Sequence, residues 1–274
     1  MFVKEINLKD HYNVKGGTLR ALCSSNPFDG GHEEWRRPAL IVVPGGGYHF
    51  VSVREAEPVA SKFYASGFQV FILNYLCRPD GVVYPEELLE LSCAIDYVKS
   101  HAQEFFVNPE EVFAIGFSAG GHLVADMSNE YENVPKYYGG KLDCRLTGAA
   151  LCYPVIDTHG GTLENLTYNL SGEEKEEMKR KLEMSGRVTS ATPPTFVWTT
   201  AEDDVVPPSN SLKYALALDS AKVPYELHVY PKGGHGLSTG GREINEREVP
   251  ALDIIAPWVK DCIRFFLSFC IERI

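Results

Sequence analysis

Several signatures that would commit a chain to a metal, a nucleic acid or a membrane are missing. There is no Cys-x-x-Cys pair and no histidine pair at His-Glu-x-x-His spacing, so no zinc ligand set is present and no metal or organic cofactor is expected. Positive charge is in deficit: 26 Lys and Arg against 37 Asp and Glu leave a formal net charge of -11, a surface that repels phosphate backbones and argues against nucleic acid as a partner. No apolar run approaches the ~18 residues of a membrane span. The N-terminal MFVKEINLKDHYN has no basic start followed by an apolar stretch, so no secretory signal is expected and the cytoplasm is the default location. The seven cysteines (Cys23, Cys77, Cys93, Cys144, Cys152, Cys262, Cys270) are odd in number, scattered and mostly inside apolar segments, the pattern of reduced core thiols. No internal repeat or low-complexity linker divides the chain.

What is present is an ordinary globular composition, 44% hydrophobic and 23% charged, in 274 residues that can bury one large core. One domain over 1–274 is expected. Apolar runs of strand length recur at 39–43, 69–74, 112–115, 148–153, 195–200 and 225–230. Helical patterns at 55–66, 86–102, 209–221 and 250–269 lie between or after them, with a further helix following 118. Such alternation predicts an α/β fold, a mostly parallel central sheet with helices on both faces. Residues 2–8 and 18–23 are expected to form an antiparallel pair at one edge. The stretch 157–192 breaks the alternation with a charged helix starting at Ser171, and is read as a small cap-like insertion that either covers a pocket or lies on the surface.

Chemistry concentrates at VFAIGFSAGGHLV, residues 112–124, where Gly116, Ser118 and Gly120 form a Gly-x-Ser-x-Gly turn between an apolar strand and a helix. A serine hydroxyl needs a base to accept its proton, and a histidine base needs a carboxylate to hold its tautomer. Both follow in the chain at strand ends, the edge where open parallel sheets assemble their sites. The run AEDDVVPP after 195–200 offers Asp203 or Asp204, and PKGGHG after 225–230 offers His235, flanked by Gly233, Gly234 and Gly236. The other histidines fit less well. His11, His32, His101, His159 and His228 lack the order or the glycine access, His49 precedes the serine though it could line the pocket, and His122 lies one helical turn past Ser118. Acyl transfer also needs amide N–H groups for the developing oxyanion. The loop VVPGGGYHF supplies Gly46 and Gly47, to act with the N–H of Ala119, and it lacks the spacing of a phosphate-binding glycine loop.

These pieces together resemble the α/β-hydrolase superfamily, and more narrowly the acetyl esterase and acetylxylan esterase-like group related to hormone-sensitive lipase. The likeness runs over PGGGYHFVSVREAEPVA at 44–60, GFSAGGHLVA at 116–125, TSATPPTFVWTTAEDDVVPPSNS at 189–211 and YPKGGHGLS at 230–238. It implies the α/β-hydrolase fold, a triad of Ser118, Asp203 and His235 in which the first aspartate of Asp-x-x-Val-Pro pairs with histidine, and Asp204 left to cap the following helix. Pro44 stands where the lipase His-Gly-Gly-Gly loop carries histidine. The implied activity is a serine esterase acting on a small-molecule ester, with short acyl groups such as acetyl removed from sugars or xylan fragments. An amidase of small substrates, of arylformamidase type, and a catalytically silent hydrolase fold serving as an interaction module are the alternatives. Tyr48 and Tyr153 are substrate-binding candidates and, with Trp198 and Tyr168, candidate stacking platforms, though aromatics near strand ends more often pack in the core. The loop 237–248 is read as either closing over the site or mobile. A homo-oligomer is left open.

Overall fold

The computed structural model describes residues 1–27, 35–157, 161–241, 244–245 and 252–271. His32 and His159, part of the 157–192 insertion and part of the 237–248 loop lie outside them.

Eight strands form one sheet in the order β1-β2-β4-β3-β5-β6-β7-β8. They are β1 (Phe2–Asn7), β2 (Thr18–Cys23), β3 (Arg37–Val43), β4 (Gln69–Asn74), β5 (Val107–Phe117), β6 (Gly148–Cys152), β7 (Thr195–Thr200) and β8 (Tyr225–Tyr230). Strands β3 to β8 run parallel, and the antiparallel pair β1–β2 is added at the β4 edge. The parallel strands are apolar on both faces because both are covered. Along β3, Ala39, Ile41 and Val43 join one core cluster and Leu40 and Val42 the other, the period of two that a pleated strand imposes.

Helices α1 (Glu57–Ala65), α8 (Leu252–Ile255) and α9 (Trp258–Leu267) cover one face, and α2 (Glu86–Ser100), α3 (Ala119–Glu130) and α7 (Ser209–Ser220) cover the other. Short helices α4 (Val134–Tyr138), α5 (Gly161–Leu166) and α6 (Gly172–Lys181) complete the described chain. In α9 the buried residues Trp258, Cys262, Phe265 and Phe266 fall at helical spacing, and Phe266 packs on Phe113 of β5 at 4.6 Å between ring centroids.

Two expected helices differ in extent. The pattern at 250–269 is two helices, because Pro257 has no N–H to donate and biases Ala256 away from helical geometry. The helix expected from 55 begins at Glu57, after a tight turn at Val53–Glu55 and Ala56 at φ -96, ψ -100. Ser171 does stand at the start of α6, but its side chain makes no capping hydrogen bond.

The sheet order fixes where a site can lie. From β3 the chain moves outward to β4, then returns past β3 to β5 on its other side. Connections leaving β3 and β5 therefore diverge, opening a crevice at their carboxyl ends. The glycine loop follows β3 and Ser118 follows β5.

Candidate active site

Ser118 links β5 to α3 in a backbone conformation, φ 53 and ψ -115, that a residue with a side chain rarely adopts. Its amide donates to the Cys152 carbonyl at 3.0 Å, and its own carbonyl accepts from Val155 and His122 at 3.1 Å each. Neighbouring backbone comes equally close. A Cβ at Gly120 would stand 2.2 Å from the Val43 oxygen and 2.4 Å from the Pro44 oxygen, so only glycine lets the start of α3 lie against the loop leaving β3. The N–H of Ala119, in the first turn of α3, has no intrahelical carbonyl to bond.

His235 and Asp203 come from the loops after β8 and β7. Thr200 Oγ donates to the Gly233 carbonyl at 2.7 Å, tying the two loops together. Asp203 is 4% exposed and its Oδ1 accepts the amides of Val205 and Val206 at 3.1 and 2.8 Å. That leaves Oδ2 to accept from His235 Nδ1 at 2.7 Å. A carboxylate can only accept here, so Nδ1 carries the proton and Nε2 presents a lone pair to Ser118 Oγ at 2.9 Å. Asp204 is exposed and makes no cap to α7, whose N-cap position is Pro208.

The glycine loop curls over the same point. Gly46 has φ +129, and a Cβ there would stand 1.9 Å from the Phe50 carbonyl oxygen, so only glycine fits this turn. The Gly46 carbonyl accepts from His49 and Phe50 at 3.0 and 3.2 Å. Among the hydrogen bonds of the described residues, none uses the N–H of Gly46, Gly47 or Ala119 as donor.

Tyr48 and Tyr153 need correction as substrate-facing residues. They are 1% and 2% exposed and offer no ring face to a sugar; Trp198 is likewise buried. What draws them in is hydrogen bonding. Tyr48 Oη pairs with His122 Nδ1 at 2.8 Å, and His122 Nε2 reaches the Leu182 carbonyl at 2.8 Å. Because a carbonyl only accepts, Nε2 holds the proton and Tyr48 donates to Nδ1; burial pushes this imidazole down to about 4, so it stays neutral. Tyr153 Oη donates to Glu55 Oε1 at 2.7 Å, while Glu55 Oε2 accepts from the Gly45 amide at 2.8 Å. Burial raises Glu55 from the ordinary carboxylate value, opposed by these two bonds and by the proximity of His235. Glu55 was invisible as a site residue in the sequence, since it sits among Arg54, Glu55 and Glu57 in what reads as a solvated helix start. His49 is exposed and stands apart from the residues lining the cleft.

Around Ser118 and His235 lies a cleft of about 510 Å³. Phe50, Val205 and Val206 give it apolar walls, and Ser52, Arg54 and Thr162 give it polar ones. The insertion 157–192 has two roles in space. Gly161 and Thr162 line the cleft, and Asn165 of α5 donates to the Gly47 carbonyl at 2.8 Å while accepting from Arg78 at 2.8 Å. Helix α6, by contrast, buries no residue and is held at the surface by Lys175 and Lys179 pairing with Glu164. Beyond it Arg187 donates to Asp126 of α3 at 2.7 Å, anchoring the end of the insertion behind the elbow helix. Six of the seven cysteines are buried. Among the described residues no group of three His, Cys, Asp or Glu side chains is placed to hold a metal ion, and no helix is long and apolar enough to cross a membrane.

The BD-FAE family model matches residues 30–218. Endo-1,4-beta-xylanase B of Butyrivibrio fibrisolvens is 31% identical over 222 residues, covering 77% of this chain and 34% of that protein. The acetylxylan esterase of Xylanibacter ruminicola is 27% identical over 211 residues, covering 74% of this chain and 41% of that protein. The chain thus spans well under half the length of these curated relatives. Among solved structures, the carboxylesterase Cest-2923 from Lactobacillus plantarum WCFS1 superposes with a TM-score of 0.86 at 26% identity, each chain covered to 100%.

Proposed function

The chain belongs to the BD-FAE family and has the α/β-hydrolase fold, and from that footing we propose that it is a serine carboxylic-ester hydrolase removing short acyl groups, acetyl foremost, from carbohydrate such as xylan fragments. The observation that carries this reading is the hydrogen-bonded line Asp203–His235–Ser118, ending at a cleft that Gly46 and Gly47 also line. His235 Nε2 takes the Ser118 proton as Oγ attacks the ester carbonyl, and the N–H groups of Gly46, Gly47 and Ala119 receive the negative oxygen. The imidazolium, balanced by Asp203, returns its proton to the leaving alcohol. Water then enters, gives a proton to His235 and attacks the acyl-enzyme, and collapse of the second intermediate frees the acid and Ser118.

Substrate class follows from the walls and from the relatives. A short acyl chain is accommodated against Phe50, Val205 and Val206, while Ser52, Arg54 and Thr162 offer donors and acceptors to sugar hydroxyls. The xylanase and acetylxylan esterase relatives support a plant-polysaccharide ester as the substrate. The test is hydrolysis of p-nitrophenyl esters from acetyl to octanoyl, and of acetylated xylo-oligosaccharides, by wild type and Ser118→Ala. Preference for acetyl, acetate release from the sugars and a loss of at least about 10³-fold in Ser118→Ala are expected. Ser118-independent turnover would refute the nucleophile. Turnover of formyl amides in place of esters would move the assignment to an amidase.

A further inference from the structure

A buried carboxylate outside the triad joins the two loops on which the proposed reaction depends. Glu55 is 5% exposed; its Oε2 accepts the Gly45 amide at 2.8 Å and its Oε1 accepts the Tyr153 hydroxyl at 2.7 Å. Tyr153 Oη in turn accepts the Ser238 amide at 2.9 Å. Ser238, three residues past His235, donates its hydroxyl to the Arg54 carbonyl at 2.7 Å and takes the Trp258 indole N–H on its own carbonyl at 3.0 Å. Every donor meets an acceptor, with no bond left over.

Two of these residues sit in unfavourable backbone. Tyr153 has φ 38 and Ser238 φ 51, conformations that persist only where surroundings hold them. The Tyr153 ring also meets the His235 ring edge-on at 5.0 Å. At the other end, a Cβ on Gly45 would come within 2.9 Å of Glu55 Oε2, so the carboxylate packs directly on the loop backbone. A hydrophobic side chain would fill the same space more cheaply, since a buried charge is costly unless its partners need it. We propose that Glu55 is a positioning residue: its carboxylate holds the Gly45 peptide so that the Gly46 and Gly47 N–H groups face the oxyanion, and through Tyr153 and Ser238 it sets the His235 loop against that same loop. The inference rests on the serine-hydrolase reading of the site.

Glu55 also places a negative charge beside the imidazole. The titratable and charged groups facing it are Tyr153 and Cys152 from the end of β6, Tyr75 from the segment after β4, His235, and Arg54 in its own turn. Arg54 is exposed and bonded to Asn245 at 2.8 Å, which leaves His235, half-buried, as the partner that Glu55 attracts once it has taken the Ser118 proton. Removing the charge without changing the shape should therefore slow the step in which His235 takes the Ser118 proton.

The experiment compares wild type, Glu55→Gln and Tyr153→Phe by two readouts: kcat and KM on p-nitrophenyl acetate, and the rate at which Ser118 is labelled by a fluorophosphonate. Phosphonylation uses the same base and the same amide donors but no ester, so it separates this inference from the functional reading. For Glu55→Gln, kcat and labelling rate are expected to fall together by about 10- to 100-fold with KM nearly unchanged, because the lost interaction acts in the transition state. Tyr153→Phe, which keeps the carboxylate, should slow labelling less than Glu55→Gln does. Folding is checked by circular dichroism, and if Glu55→Gln fails to fold, Tyr153→Phe decides. A folded variant that labels at the wild-type rate overturns the inference. If wild type labels but hydrolyses no ester, the ester reading falls while the labelling ratio still decides the role of Glu55.

Discussion

Asp203 and Asp204 are adjacent and chemically identical, yet only one reaches the imidazole. The difference is local geometry: the turn after β7 points Asp203 inward, where the Val205 and Val206 amides hold it, and leaves Asp204 in water. Asp203→Asn is expected to leave the fold intact and lower kcat by about 10⁴-fold, because an amide can present its NH2 to Nδ1 and favour the wrong tautomer. Asp204→Asn should stay within about twofold of wild type, as exposed substitutions usually do. Steady-state kinetics of the two variants on one acetyl ester decides the matter. Equal losses would return Asp204 to the site.

At the scale of an element, α2 carries an unusual load. It buries Glu87 and Glu90 against the sheet, with Glu87 Oε2 and Glu90 Oε1 lacking any hydrogen-bond partner among the described residues, although Glu90 Oε2 accepts the Leu76 amide at 2.8 Å. Burial pushes Glu87 up to about 7 and Glu90 up to about 8, from an ordinary 4.5. The folded state therefore binds protons that the unfolded chain has released. Below pH 4.5 both states are protonated and the contribution is whole; it is lost as pH rises through about 7 to 8. Urea denaturation midpoints are expected to fall between pH 5 and pH 8.5 in wild type and to fall less in Glu87→Gln and Glu90→Gln, which should exceed wild type at the alkaline end. A flat wild-type profile would mean the carboxyls are solvated.

For the molecule as a whole, helix α9 ties one face of the sheet to the loop that carries His235. Trp258 of α9 is fully buried, stacks on Trp198 of β7 at 5.2 Å and holds the Ser238 carbonyl through its indole N–H. Trp258→Ala is expected to cost about 3–5 kcal/mol of stability through the cavity it leaves. It should also lower kcat more than KM, because the loop after His235 loses an anchor. Stability and kinetics measured on the same preparation check both halves. A stable variant with wild-type kcat would show that α9 is mere cover.

The sequence by itself determined the architecture and the reacting groups. Strands at 69–74, 195–200 and 225–230 coincide with β4, β7 and β8 because buried parallel strands are written as unbroken apolar runs; Ser118 and His235 could be picked out because each follows such a run among glycines, and Asp203 or Asp204 because the pair follows another. Only the tertiary structure decided the rest. Which aspartate turns inward depends on two backbone amides, and Glu55 acquires its place from Gly45 and from Tyr153, 98 residues away along the chain. Tyr48 and Tyr153 stand in a linear reading as either substrate-binding or core aromatics, and the fold buries both, with His122 and Glu55 against their hydroxyls. Periodicity records whether a residue faces a core, not which distant polar atom waits there, since hydrogen bonds between loops are set by the three-dimensional course of the chain.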